Sequence, residues 1–182
     1  MRAIIVRHGN TFAPGAPVRR IGARSDLPLV VSGRAQAVAL AHHFAGISFD
    51  RCLASPLART RETAAIIAPH LAPEPTDWLR EIDHGPDEGA LEKEVVARIG
   101  ADALAQWNAA ALPPPGWIVD APGRIAAWRH FFATASGTLL LVTSNGAARF
   151  ARIALGLPPA HLRTGAYGEV RDGRLIAWDQ RP

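Results

Sequence analysis

The chain has 182 residues, 48% of them hydrophobic and 20% charged, proportions that suit a single globular domain and exclude a disordered, collagen-like or coiled-coil polypeptide. Its formal net charge of +4 is carried almost wholly by arginine, with Lys93 the one lysine, and no basic run, zinc-finger spacing or aromatic-basic motif points to nucleic acid. Cys52 is the single cysteine, which excludes an intrachain disulfide and suits a cytoplasmic setting, and no apolar run has the length of a signal-peptide core or a membrane span.

From the N-terminus, Ala3-Ile4-Ile5-Val6 is a continuous apolar, β-branched run, the pattern of a fully buried strand, and it delivers Arg7-His8-Gly9 at its C-terminal end. A loop rich in Pro, Gly and Arg follows to Pro28, and Ser32-Gly33 then opens a helix with Ala37, Leu40, Ala41 and Phe44 at helical spacing. Asp50 to Ala54 predicts a second strand. Ser55-Pro56 reads as an N-cap with proline at the first helical position, leading into a helix from Leu57 to Ala68.

Residues 73–89 are polar and turn-rich, and 90–111 are helical in pattern until Pro113-Pro114-Pro115 stops them. A helix is predicted over 122–135, and Thr138 to Thr143 is the strongest strand, followed by Asn145-Gly146 and a helix to Leu155. Asp172-Gly173 between two short apolar stretches marks a hairpin. Strands alternating with helices predict a three-layer α/β/α sandwich with a largely parallel central sheet.

The chemistry gathers at strand ends. A histidine beside an arginine and a glycine can attack phosphorus as neutral imidazole, while the guanidinium neutralises phosphoryl oxygens and the glycine lets backbone N–H groups approach. The helix after Ser55 presents free N–H groups and the positive end of its dipole at the same sheet edge, with Arg59 and Arg61 in its first turns. Cys52 lies seven positions before Arg59, against the five intervening residues of a cysteine-phosphatase loop, and reads as a buried apolar residue. His42, His43, His70, His130 and His161 lack metal-ligand spacing.

Three blocks in register, Arg7-His8-Gly9, Gly22-x3-Asp26-Leu27-Pro28-Leu29-x2-Ser32-Gly33-x2-Gln36-Ala37 and Ser55-Pro56-Leu57-x-Arg59-Thr60-x2-Thr63-Ala64, resemble the histidine-phosphatase (phosphoglycerate-mutase-like) superfamily. The resemblance implies that His8 becomes phosphohistidine, that Arg7 and Arg59 clamp the phosphoryl group, and that Asn10, Thr11 and Gly146 line the substrate site without metal or cofactor. It implies a general acid in a Glu-x-x-aromatic-Gly type segment, matched here by Glu81-Ile82-Asp83-His84-Gly85. Glu81 is the candidate, with Asp83 and Glu88 as alternates. The loop carrying Arg19, Arg20 and Arg24 is placed to read an anionic substrate tail.

Three departures accompany the resemblance. The family's second catalytic histidine sits in a Ser-His-Gly type turn, and the matching turn here is Ser144-Asn145-Gly146. An asparagine can donate to a phosphoryl oxygen but cannot be cationic, which removes about 1 to 3 kcal/mol of transition-state stabilisation. Arg149 falls one residue nearer that turn than the family places its arginine, and Pro14 replaces a commonly polar position. The expected activity is hydrolysis of a small phosphorylated substrate at a reduced rate, with a catalytically weakened phosphate-binding homologue and a phosphoglycerate-type mutase as alternatives.

Overall fold

The two long apolar runs become neighbouring parallel strands, β1 (Arg2–Arg7) and β4 (Thr138–Thr143), paired in register from Arg2 with Thr138 to Arg7 with Thr143. Their continuous hydrophobicity has a direct cause: both faces are covered. Ala3, Ile5, Leu139 and Leu141 point into one core with Trp107, Trp128 and Phe150, whereas Ile4, Val6, Leu140 and Val142 point into the other with Leu40, Phe44 and Ile67. Burial of these side chains supplies roughly 1.5 to 3 kcal/mol each.

The computed structural model describes residues 1–182. Its helices are α1 (Val31–His43), α2 (Ala58–Ile67), α3 (Glu92–Ile99), α4 (Ala101–Ala110), α5 (Ala121–Thr134) and α6 (Asn145–Ala154). The remaining strands are β2 (Arg51–Ala54), β3 (Glu74–Pro75), β5 (Tyr167–Arg171) and β6 (Arg174–Gln180), in the order β3-β2-β4-β1-β5-β6. Helices α1 and α2 supply one core, and α3 to α6 the other. No helix is long and apolar enough to cross a membrane.

The expectation of a largely parallel sheet holds in part, for the sheet as a whole is mixed. Strands β1 to β4 are parallel, but β5 runs antiparallel to β1 and β6 antiparallel to β5. The hairpin at Asp172-Gly173, whose residues both have positive φ (47° and 73°), the backbone of a tight two-residue turn, reverses the chain between β5 and β6.

Two local boundaries also differ. The predicted helix over 90–111 breaks at Gly100, whose φ of 81° ends α3 and starts α4. Helix α2 begins at Ala58, not in the Ser55-Pro56 pair. Ser55 Oγ accepts the Leu57 N–H at 3.2 Å, and Asp26 reaches from the loop before α1 to accept the Ala58 N–H at 2.6 Å. A distant carboxylate thus caps the helix, stabilising its positive end.

Candidate active site

Because β1 and β4 are parallel and in register, the turns that follow them emerge side by side at one sheet edge, the position where open α/β sheets place their sites. A cavity of about 530 Å³ opens there, lined by Arg7, His8, Asn10, Thr11, Glu81, His84, Asn145, Gly146 and Thr164, with the 12–21 loop, Glu92, Trp107 and His161 at its sides. The size suits a small metabolite.

His8 is 3% exposed and held at both ring nitrogens. Its Nδ1 lies 2.7 Å from the Gly9 carbonyl oxygen, which can only accept, so Nδ1 carries the proton. Arg59 Nε donates to Nε2 at 3.2 Å, so Nε2 holds the lone pair. Burial, Arg59 and Arg7 all oppose protonation and keep the ring well below its ordinary pKa. The result is a neutral imidazole with the tautomer required for attack from Nε2.

Gly9 makes the turn possible by closeness to α1. A Cβ on Gly9 would stand 2.2 Å from the Gly33 carbonyl oxygen, and one on Gly33 would stand 2.1 Å from the Asn10 oxygen. The two glycines therefore let the His8 turn lie directly on the first turn of α1. Thr63 Oγ1 accepts the Gly9 N–H at 3.2 Å, and Gln36 Oε1 accepts that of Asn10 at 2.8 Å. Asn10 Oδ1 in turn accepts from Thr164 Oγ1 at 2.6 Å.

Arg59 is fully buried behind His8 and does not itself line the cavity. Its NH1 donates to Ser25 O at 2.5 Å and its NH2 to Gly22 O at 3.1 Å, so the loop before α1 holds the fork against the imidazole. Arg7 lines the cavity, donates from NH1 to Leu162 O at 2.9 Å, and has an enclosed Nε with no partner. Burial lowers its pKa to about 10, which leaves it charged. Neither arginine has a carboxylate within ion-pair distance. Unpaired buried guanidinium beside an unprotonated imidazole is an arrangement awaiting an anion.

Glu81 is the carboxylate that faces this charge. It accepts the Ile82 N–H at 2.9 Å and the Gly146 N–H at 3.0 Å. Burial alone would raise its pKa, but His84, the Gly146 and Ile82 N–H groups and Arg59 outweigh that and hold it below the ordinary carboxyl value. The alternates lie elsewhere. Asp83 pairs with Arg24 at 3.1 Å, while Glu88 accepts from Gly22 N at 2.8 Å and Ser25 Oγ at 2.7 Å, and neither lines the cavity.

At the second turn, Asn145 Oδ1 accepts the Leu162 N–H at 2.9 Å, which fixes the amide orientation. Leu162 is thus gripped from both sides, by Asn145 at its N–H and by Arg7 at its carbonyl. Gly146 is required by space, since a Cβ there would stand 2.1 Å from Glu81 Oε1.

Of the arginines expected to read a substrate tail, Arg19 and Arg20 line the cavity and are engaged by Gly89 O and Glu92 respectively. Arg24 does not line it and is spent on Asp83 and Gly85. Arg149 is 2% exposed, lies 4.1 Å from the Trp107 ring and donates to Trp107 O at 2.6 Å, bracing the cavity wall from behind. Trp107 and Thr164 carry no motif that marks them, His161 is marked only as a histidine, and His84 only by its place in the Glu81–Gly85 segment. No group of three His, Cys, Asp or Glu side chains converges as a metal site would. Cys52 is 1% exposed in β2, its thiol pushed up to about 12 by burial.

Comparison with known proteins agrees with this geometry. The profile of the histidine phosphatase superfamily (branch 1) matches residues 3–171. A probable 2-carboxy-D-arabinitol-1-phosphatase of Arabidopsis thaliana is 31% identical over 79% of the chain, and a probable phosphoglycerate mutase GpmB of Salmonella choleraesuis is 36% identical over 53%. The chain spans only 31% and 43% of those two relatives. Among solved structures, a mycobacterial glucosyl-3-phosphoglycerate phosphatase superposes with a TM-score of 0.82 at 22% identity, each chain covered to 98%. The protein TTHB049 from Thermus thermophilus gives 0.74 at 28% identity, again with 98% of each chain covered. With matching blocks at each strand end and a family match over nearly its whole length, the chain belongs to the histidine phosphatase superfamily, branch 1.

Proposed function

We propose that the protein hydrolyses a small phosphomonoester through a phosphohistidine on His8. The observation that carries this reading is the state of His8: neutral, with its lone pair on Nε2, lying between the unpaired charges of Arg59 and Arg7 and opening on a cavity of metabolite size. In the first step Nε2 attacks phosphorus, the ester P–O bond breaks, and Glu81, having taken the proton of the entering phosphomonoester monoanion, gives it to the leaving oxygen. Arg7 stabilises the charge on the phosphoryl oxygens from the cavity wall, and the Arg59 Nε–H, which occupies the Nε2 lone pair at rest, passes to a phosphoryl oxygen as the P–N bond forms. In the second step water attacks phosphorus, the P–N bond breaks, and Glu81, held ionised, takes the proton from water.

Asn145 stands where the family's second catalytic histidine is expected. With Oδ1 committed to Leu162, only its amide nitrogen is free to meet an oxygen. A neutral donor there supports a lower rate, and it favours a second reading, a phosphate-binding homologue of low turnover. The relatives named as phosphoglycerate mutases leave the mutase reading testable by interconversion of 2- and 3-phosphoglycerate. The primary test is phosphate release from a generic aryl phosphate without added metal. His8→Ala should abolish it, by about four orders of magnitude or more; activity that survives the change would remove His8 from the mechanism.

A further inference from the structure

The phosphoryl group engages Arg7 and His8, and the rest of the cavity wall is left to meet the remainder of the substrate. One stretch of that wall is rich in guanidinium groups. Arg19 and Arg20 line it, and Arg149 lies behind Trp107. Burial lowers the Arg149 pKa to about 10, with Glu81 opposing the fall and Arg20 and Arg7 adding to it, so the group stays charged. Glu92, on Arg20, is the one acidic side chain within ion-pair distance of any of the three.

Arg20 is held firmly, and Glu92 is not. The Arg20 backbone N–H donates to Ala90 O at 2.8 Å, its carbonyl accepts the Gly89 N–H at 2.7 Å, and its guanidinium carbon lies 5.2 Å from the Trp117 ring centroid. Within the guanidinium, Nε is enclosed without a partner, NH1 makes no hydrogen bond to the protein, and NH2 meets a single oxygen of Glu92. Arg51–Glu74 and Arg98–Asp87, by comparison, are two-point forks. A one-point contact leaves Glu92 able to exchange. Its side chain is 51% exposed, and as the first residue of α3 its charge remains stabilised by the helix N-terminus when it leaves Arg20.

We infer that Arg20 binds a second anionic group on the substrate, a carboxylate, and that Glu92 holds that group's place in the free enzyme. The inference rests on the phosphomonoester reading above and names its substrate class, a phosphorylated acid. The substrate carboxylate takes NH1 and NH2 together as a fork, and Glu92 turns to solvent, so one charge-assisted bond is exchanged for two. A neutral polyol phosphate would instead use Glu92 as an acceptor. The two classes therefore separate at Glu92.

The test uses isosteric esters, 3- and 4-carboxyphenyl phosphate against the matching carbamoylphenyl phosphates, and reads the ratio of kcat/KM for acid over amide. Wild type should favour the better-placed acid by about tenfold or more. Arg20→Met, which keeps an apolar stem on Trp117, should bring the ratio to about one, and Arg20→Gln should do the same if the Met variant does not fold. Glu92→Gln should raise the ratio about two- to fivefold, because the competing carboxylate is gone. A wild-type ratio near one at both positions, a ratio unmoved by the Arg20 variants, or a ratio that falls in Glu92→Gln would overturn the inference. Dissociation constants of the same esters on His8→Ala, measured by calorimetry, read the preference without turnover. The acid preference seen there, with no phosphate release from wild type, would overturn the phosphatase reading while supporting the role of Arg20.

Discussion

The turns after β1 and β4 start from strands paired residue for residue, yet they are built for different work. The first holds a reactive group: Gly9 O and Arg59 fix the His8 ring, and Gly9 itself lies on the backbone of Gly33. The second holds its surroundings: Asn145 Oδ1 secures Leu162, and the Gly146 N–H secures Glu81. Equivalent positions on a sheet thus divide into a turn that fixes the His8 ring and a turn that supports its surroundings. The asparagine is what makes the second one neutral.

Substituting the two glycines breaks this comparison most sharply. Gly9→Ala pushes a methyl into backbone that cannot swing away and should cost about 3 kcal/mol of stability, read by denaturant unfolding. Gly146→Ala meets a side chain instead. Glu81 can move, so stability should fall less, while displacement of its carboxylate should lower kcat by about 10²-fold. If Gly146→Ala unfolded the protein as readily as Gly9→Ala, the two turns would not differ as described.

A pH titration addresses the support beneath the second turn's neighbours. Burial would raise the Glu88 carboxyl, but His84, Ser25 and the N–H groups of Gly22 and His84 hold it to about 2 against an ordinary 4.5. A depressed folded value means the stabilisation is complete above about pH 4.5 and is lost as pH falls towards 2. It amounts to about 3 kcal/mol. Unfolding free energies measured across that window should slope less steeply in Glu88→Gln than in wild type. Parallel slopes would show that Glu88 contributes nothing there.

Asn145→His gives the smallest and most informative change. A cation in the support turn should raise turnover about ten- to a hundredfold if the rest of the site is intact. Turnover that does not rise would favour the phosphate-binding reading.

Much of this was legible in the sequence. Strands β1 and β4 announced themselves because burial on both faces demands unbroken apolar runs, and Asp172-Gly173 announced a hairpin through its positive-φ residues. The hairpin dictates that β6 runs antiparallel to β5, but no local signal sets the direction of β5 against β1. What was not legible rests on groups that carry no side-chain signature. The carbonyls of Gly22 and Ser25 that hold Arg59, and the Leu162 backbone between Arg7 and Asn145, are the same atoms in every residue. Asp26 as cap of α2 depends on a loop crossing 32 positions of sequence. Strand β3, two residues long, is too short for any period to show.

The central claim is that His8 carries the phosphoryl group, and trapping it is the most direct test. Wild type mixed with an aryl phosphate and quenched within the first turnover should carry one acid-labile phosphoryl group, located on His8 by peptide mass analysis. His8→Ala should carry none. A phosphoryl group on another residue, or phosphate release from wild type with no phosphoenzyme at any quench time, would contradict the account.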